Sequence, residues 1–396
     1  MLNPDPPQPE THGNQMLLCA MRRLPHGRAP KRRSGLLDRP SPPPTPFESQ
    51  MRSLLQRTAA IPVRALAWLG GQGTRAIAAL VFIGIAVPPV GELLKPFVTE
   101  AIFMLLCISF MRVDLGALRD HLRRPGLVVA ATAWTMLGVP LIAGAGCLAA
   151  GLDTHSPDLF LALMLQAVAS PMMAAPALAA VMGLDSTLAL ITLVTSTALV
   201  PFTAPLFAYV FFGTALTLSP LGLGLKLVAI LAGSLLVAGA IRWSVGAAAI
   251  ARRKAPIDGF NILILFVFVA AVMGNVVGGF WADPVKTIEL TVLAFAVFFA
   301  LVGVTTLIFR SIGRERALAL GLLVSQRNMG LMVAATDGVL PGATWLYFAL
   351  SQFPIYLSPQ LLKPLVSRFR TSASMPERSD DGGEQPGSEK HVSLGG

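Results

Sequence analysis

The sequence predicts an all-α integral membrane protein with ten transmembrane helices. Of its 396 residues, 54% are hydrophobic and only 13% are charged, whereas soluble globular proteins are about 25% charged. The apolar residues form blocks of about 18–25 residues between short polar loops, which is the length a helix needs to cross a bilayer. Arginines cluster in alternate loops, as the positive-inside rule expects. These three observations define the fold class.

The two ends of the chain differ from its apolar centre. Residues 1–50 are rich in proline and arginine and are predicted to form a disordered basic tail. They contain no secretory signal peptide, and a functional tail and a true start at Met51 stay equally open. Residues 51–72 place arginines among leucine and tryptophan, a pattern that indicates an interfacial amphipathic helix. Residues 371–396 are predicted to be a disordered polar tail.

Residues 75–366 are predicted to be the transmembrane domain. The arginine-rich loops follow its second, sixth and eighth spans and share one side with the basic N-terminus. Both termini are therefore predicted to be cytoplasmic, in the inner membrane of the cell. The ten spans are predicted at 75–94, 97–114, 125–150, 158–183, 187–213, 221–243, 257–279, 286–309, 315–338 and 341–366.

Composition also limits the partners and cofactors. The net charge of +10 is typical of nucleic-acid binding, but the positive residues flank apolar spans, so orientation in a membrane explains them. The three cysteines lack the spacing of a disulfide framework or a metal site. A nucleotide-binding loop and a catalytic constellation are both missing from the pattern, which disfavours an enzyme or a primary pump. We expect a membrane lipid environment and a small-molecule partner, with no nucleic acid, cofactor or metal.

Two spans in corresponding positions contain helix-breaking residues. Ten spans divide into five plus five, and an odd repeat length inverts the second half in the membrane. The fourth span has Pro171 and Pro176 at its centre, and its counterpart, the ninth, has the polar run "SQRN" at 325–328. Prolines alone often only kink a membrane helix. Paired breaks instead indicate a transporter binding site, where unwound backbone lines a cavity.

Arg327 lies about ten residues from either end of the ninth span, or roughly 15 Å from each membrane surface. A charge at this depth costs at least about 2.5 kcal/mol and must be compensated. The candidates are helix dipoles and the carbonyl groups freed by Pro171 and Pro176. Two interpretations remain open: Arg327 is a built-in cation that attracts an anionic substrate, or it is an architectural residue paired inside the protein.

Three segments together resemble the bile acid:sodium symporter family. They are "LRRPGLVVAATAWTMLGVPLIAG" (122–144), "SPMMAAPALAAVMGLDSTLALITLVTSTALVPFTAPLF" (170–207) and "SQRNMGLMVAA" (325–335). The resemblance covers roughly 75–366. It implies two inverted five-helix repeats, with a panel of spans 1, 2, 6 and 7 and a core of spans 3–5 and 8–10. Crossed, broken helices four and nine and alternating-access transport of a small organic anion are also implied.

The positions that match the family's sodium ligands differ in this sequence. Sodium prefers oxygen ligands, which alanine, leucine and proline side chains do not supply, and the family's carboxylate is lost. The resemblance therefore implies lost sodium sites, with Arg327 standing where relatives hold a sodium-coordinating glutamine. The matching positions are Ala175, Pro176, Ala189, Leu193, Thr135, Leu323, Arg327 and Asn328.

Substrate-binding residues are predicted around the two breaks. Asn328 is expected to cross-link the two broken helices by hydrogen bonds. Ser170, Ser325 and Gln326 are expected to line the crossing, although small polar residues also mediate helix packing. Gln166 and Asn275 are further candidates. The full predicted set is Arg327, Asn328, Gln326, Ser325, Ser170, Pro171, Met172, Met173, Pro176, Thr135, Ser196 and Thr197.

Two functions other than transport place different requirements on the sequence. A non-transporting membrane sensor or scaffold on the same fold is the alternative, although signalling usually requires a larger cytoplasmic module than these tails. Metalloid efflux, as in the related arsenite permeases, would require a thiolate near the broken helices, and spans four and nine contain no cysteine. The sequence does not name the substrate.

Overall fold

A computed structural model describes residues 62–72, 79, 83, 86–112, 125–212 and 219–373. The predicted tail at 1–50, most of the first predicted span, and residues 374–396 of the tail predicted at 371–396 lie outside the described residues. Residues 371–373 are helical, because the last described helix continues to Ala373. Within the predicted interfacial segment, residues 62–72 are helical. The described residues are helical almost throughout and contain no strand, so the predicted all-α class is confirmed.

Fifteen helices are labelled α1–α15 along the described chain. The first eight are α1 (62–72), α2 (Pro88–Leu94), α3 (Val98–Arg112), α4 (Pro125–Ala149), α5 (Leu152–His155), α6 (Pro157–Val168), α7 (Ala175–Val181) and α8 (Ser186–Phe207). The others are α9 (Pro220–Val245), α10 (Ala247–Arg252), α11 (Lys254–Ala282), α12 (Pro284–Ile308), α13 (Arg314–Ser325), α14 (Met329–Ala335) and α15 (Gly342–Ala373).

Six described helical segments are long and apolar enough to cross a membrane, which supports a membrane-embedded protein. They correspond to the second, third, fifth, sixth, seventh and eighth predicted spans. The fourth and ninth are divided into pieces too short to count, and α15 carries several buried polar side chains that lower its hydropathy. The six segments are Pro89–Arg112, Pro125–Ala149, Ser186–Phe211, Pro220–Val245, Lys254–Ala282 and Pro284–Ile308.

The helices form two groups by their contacts. In the first group, α11 packs against α2 and α3, and α3 packs against α9. In the second group, α12 packs against α13 and α15, α8 packs against α4, α7 and α13, and α6 packs against α4 and α15. The groups meet where α8 packs against α9, where α11 contacts α12 and α15, and where α14 contacts α3 and α9 on one side and α6 on the other.

Both predicted helix breaks are present. Helix α6 ends at Val168 because the backbone becomes extended at Ala169, and the chain does not become helical again until Ala175. Helix α13 ends at Ser325, and α14 starts at Met329, so three residues lie between them. The first break contains Pro171, which has no N–H to continue a helix. The predicted interruptions near 170–176 and 325–329 are therefore confirmed.

Candidate functional site

The two breaks pair with each other through their backbones. The Met172 N–H donates to the Gln326 carbonyl at 2.7 Å, and the Asn328 N–H donates to the Ser170 carbonyl at 2.8 Å. Pro171 and Arg327 thus face each other in a short antiparallel bridge. Unwound backbone inside a membrane protein must find hydrogen-bond partners, and here each break supplies them to the other.

Arg327 lies at the centre of this bridge and is 1% exposed. Its Nη1 donates to the Ala169 carbonyl at 2.8 Å, and its Nη2 donates to the Thr135 carbonyl at 3.1 Å. Its Nε has no hydrogen-bond partner among the described residues. The guanidinium therefore joins the ninth predicted span to the third and the fourth, and both observed partners are backbone carbonyls.

Both acceptor carbonyls lack a hydrogen-bond donor within their own helices, because of the local backbone structure. Ala169 lies beyond the last turn of α6, where the chain has already become extended. Thr135 lies in a π-helical turn, Trp134–Gly138, where hydrogen bonds run to the residue five positions later. For Thr135 that residue is Pro140, which has no N–H. The expectation of freed carbonyls at the break in span four is confirmed by Ala169, and Thr135 adds a second.

The side chains of Gln326 and Asn328 point to different partners. Gln326 Nε2 donates to Ser358 Oγ at 2.6 Å and to the Ile355 carbonyl at 3.4 Å, which anchors the second break to α15. Asn328 Oδ1 accepts from the Leu331 N–H at 3.2 Å and caps the N-terminus of α14. The predicted cross-link between the broken helices is present, but the backbone of Asn328 makes it rather than the side chain. The orphan amides of its own helix lie closer, and its backbone N–H makes the cross-link.

A cavity of about 320 Å³ lies against the second break, between the two helix groups. Five of the predicted site residues line it: Met172, Met173, Gln326, Arg327 and Asn328. The first helix group supplies the opposite wall, from α3 and α11, and α15 completes it. Among the described residues of the lining, Arg327 alone carries a formal charge.

The other predicted residues lie near the breaks but not on the cavity wall. Ser170 and Pro171 belong to the bridge, and Ser325 and Pro176 belong to the flanking helices α13 and α7. Thr135 contributes its carbonyl, while its hydroxyl donates to the Ala131 carbonyl at 2.7 Å.

Ser196 and Thr197 are buried in α8, and their hydroxyls have no partner among the described residues. Of the further candidates, Gln166 accepts a hydrogen bond from the Tyr347 hydroxyl at 2.6 Å. The side chain of Asn275 lies outside the described residues.

Sequence reasoning missed the polar residues that other helices bring to the cavity. Ser109 from α3, Asn261 from α11 and Gln352 from α15 all line it. Each is a polar residue in a largely apolar span, and such isolated polar residues in membrane helices often mark functional surfaces. That signal was present in the sequence, but only the packing of α3, α11 and α15 shows that the three residues face one space.

Four of the positions that match the sodium ligands of the resembling family are occupied by buried apolar side chains. Ala175, Ala189 and Leu323 are 0% exposed and Leu193 is 1% exposed, so none supplies a side-chain oxygen. Among the described residues, no group of three or more histidine, cysteine, aspartate or glutamate side chains is placed to hold a metal ion.

No protein-family model matches this chain, and no curated protein matches it. The resemblance to the bile acid:sodium symporters therefore stays a prediction.

Proposed function

We propose that the protein is a secondary transporter of a small organic anion, which works by alternating access in the inner membrane. The proposal includes the ten-helix inverted-repeat fold with both termini cytoplasmic, in which the first helix group is the panel and the second is the core. The observation that carries it is the cavity between the groups, at the paired helix breaks, with one buried positive charge.

The lining of the cavity favours an amphipathic ligand. Phe268, Met172 and Met173 provide apolar surface, whereas Asn261 and Asn328 provide amide groups. A few polar groups in a mainly apolar cavity are typical of sites for small organic molecules, and about 320 Å³ is within the usual size range.

The charge of Arg327 favours an anion over a cation or a neutral ligand. Its hydrogen-bond partners are two carbonyl dipoles, and these leave its full positive charge in place. In a medium of low dielectric constant the potential of such a charge reaches well beyond its hydrogen-bonding partners. An anion in the adjoining cavity would be stabilised by that potential without displacing either carbonyl.

We propose further that transport does not depend on sodium. Four of the positions that match the family's sodium ligands carry Ala175, Ala189, Leu193 and Leu323, whose side chains offer no oxygen. The guanidinium of Arg327 then supplies permanently the positive charge that sodium supplies transiently in the resembling family.

Uptake into proteoliposomes tests this function. We expect one or more members of a panel of carboxylates and sulfonates to be taken up, at the same rate in sodium, potassium or choline. Gly330→Phe should abolish uptake, because a Cβ at Gly330 already lies 3.4 Å from Phe268 and 3.5 Å from Ile102 on the facing helices. The matched control is Gly303→Phe on α12, where a Cβ meets nothing within 4 Å.

Three outcomes would contradict the proposal. A steep sodium dependence would show that the ligand argument is wrong. Equal loss of uptake in Gly330→Phe and Gly303→Phe would show that uptake does not depend on the cavity. Anion binding without any uptake would favour the sensor or scaffold alternative.

A further inference from the structure

The two ends of the helix bundle are distinguished by their charged contacts. At one end, Arg112 pairs with Asp258 at 2.7 Å, and Arg242 Nη1 donates to the Met111 carbonyl at 3.3 Å. These contacts bring together the end of α3, the start of α11 and the end of α9, all in the first helix group. We call this the arginine end.

The opposite end carries contacts that join the two helix groups. Lys226 of α9 pairs with Asp337, which follows α14. Lys95, just before α3, lies 5.1 Å from the ring centroid of Trp345 in α15. Lys226 precedes Arg242 by 16 residues on one helix, or roughly 24 Å along the axis. We call this the lysine end.

The lining of the cavity is more exposed towards the arginine end, where Ser109 and Asn261 are partly exposed. Its lining on α3 reaches Ser109, one turn from Arg112, and its lining on α11 starts at Asn261, one turn from Asp258. Away from that end the lining residues are buried, with Ile102 at 4% exposed and Phe268 at 5%. The cavity therefore opens at the arginine end and closes before the lysine end.

We propose that Lys226–Asp337 and Lys95–Trp345 form a latch that holds the two helix groups together at the lysine end. This inference rests on the proposed alternating-access function, and it assigns the described conformation to the state open at the arginine end. Opening at the lysine end then requires both contacts to break.

The chemistry of the latch suits a contact that opens and closes. The side chains of Lys226 and Asp337 are 35% and 61% exposed, so water can replace each partner at little cost. Asp337 adopts a left-handed backbone conformation with φ 55°, and it is the one non-glycine residue of the described chain with a positive φ. That conformation is uncommon for residues other than glycine, asparagine and aspartate. Aspartate tolerates it, so the turn after α14 presents this carboxylate at a position that few other residues would suit.

Thiol accessibility tests the latch without any substrate. The three native cysteines, Cys19, Cys107 and Cys147, are replaced by alanine, and Gly330→Cys serves as the reporter between the groups. Right-side-out and inverted membrane vesicles are treated with a small membrane-impermeant thiol reagent. We expect labelling from the arginine end to predominate while the latch is intact.

Asp337→Asn should raise labelling from the lysine end about twofold to fivefold and lower it from the arginine end, as expected for loss of one exposed ion pair. Asparagine also tolerates a positive φ, so this variant removes the charge without adding backbone strain. Lys226→Gln should have the same effect, and the double variant should have no larger effect than either alone. Lys95→Gln should shift labelling in the same direction.

The matched control is Asp153→Asn, which removes an exposed carboxylate from the short helix α5 and should leave labelling unchanged. The latch is overturned if Asp337→Asn leaves labelling unchanged, if its effect equals that of Asp153→Asn, or if the two single effects add. Labelling does not require transport. If the latch variants alter labelling but the protein takes up no anion, only the proposed function is contradicted. If the protein takes up an anion but the latch variants leave labelling unchanged, only the latch is contradicted.

Discussion

The two helix breaks pair with each other but are built from opposite chemistry. The first, between Val168 and Ala175, arises around Pro171 and offers mainly backbone: the carbonyls of Ala169 and Ser170 both accept hydrogen bonds from the second break. The second break is only three residues long, Gln326–Asn328, and all three of its side chains make hydrogen bonds. One break therefore supplies mainly acceptors, whereas the other supplies donors and a charge.

This difference shows how a charge can be retained inside an apolar bundle. A break made by proline leaves carbonyl groups without helical partners, and these groups attract a cation. In this protein the cation is part of the chain. The paired breaks can therefore be complete without a bound ion, which agrees with the proposed independence from sodium.

The largest effect is expected from removing the charge of the second break. Arg327→Gln leaves the Ala169 and Thr135 carbonyls without their donor, at about 1–3 kcal/mol for each buried group. We expect a clear fall in melting temperature in detergent and a loss of affinity for the transported anion of about tenfold or more. Arg327→Lys should lose less of both, because it keeps the charge but not the planar fork.

Melting temperature and affinity must be measured on the same preparations of both variants. Unchanged affinity with a large fall in stability would eliminate the role of Arg327 in attracting substrate and leave only the architectural one. Unchanged stability would contradict the importance of the two carbonyl contacts.

A smaller effect is expected from Asn328, since its side chain caps α14 while its backbone carries the link to the first break. Asn328→Ala should lower the free energy of unfolding by about 1 kcal/mol through loss of the cap. Asn328→Ser should recover most of this, because serine also accepts from the helix amides. If Asn328→Ala lowers the free energy of unfolding by more than Arg327→Gln does, in chemical or thermal unfolding, the Asn328 side chain does link the breaks.

The smallest effect is expected at a pair of serines, one beside each break. Ser170 and Ser325 are both 0% exposed, but Ser325 Oγ donates to the Leu322 carbonyl at 2.9 Å, whereas Ser170 Oγ has no partner among the described residues. Ser170→Ala should therefore leave stability unchanged or raise it by up to about 1 kcal/mol. Ser325→Ala loses its hydrogen bond and should be the less stable of the two variants in parallel melting experiments. The reverse order would contradict the difference between the two serines.

The sequence by itself determined the features that depend on neighbouring residues. Apolar blocks predicted the helical class and the positions of the described spans, with ends that differ from the structure by up to eight residues. Pro171 and the polar run at 325–328 marked the two breaks. The missing N–H of proline and the cost of a buried charge both affect the helix at the residue that causes them. The burial of Arg327 followed from the same local reasoning.

The tertiary structure decided which groups meet across the bundle. The Thr135 carbonyl became a partner of Arg327 only because a π-helical turn and Pro140 freed it beside the ninth span. Ser358 reached Gln326, and Ser109 and Asn261 joined the cavity wall, through packing of helices distant in sequence. Local pattern fixes where a helix starts, breaks and ends, but the partner of a buried polar group depends on which helices become neighbours and on their rotation. These are set by packing over the whole bundle.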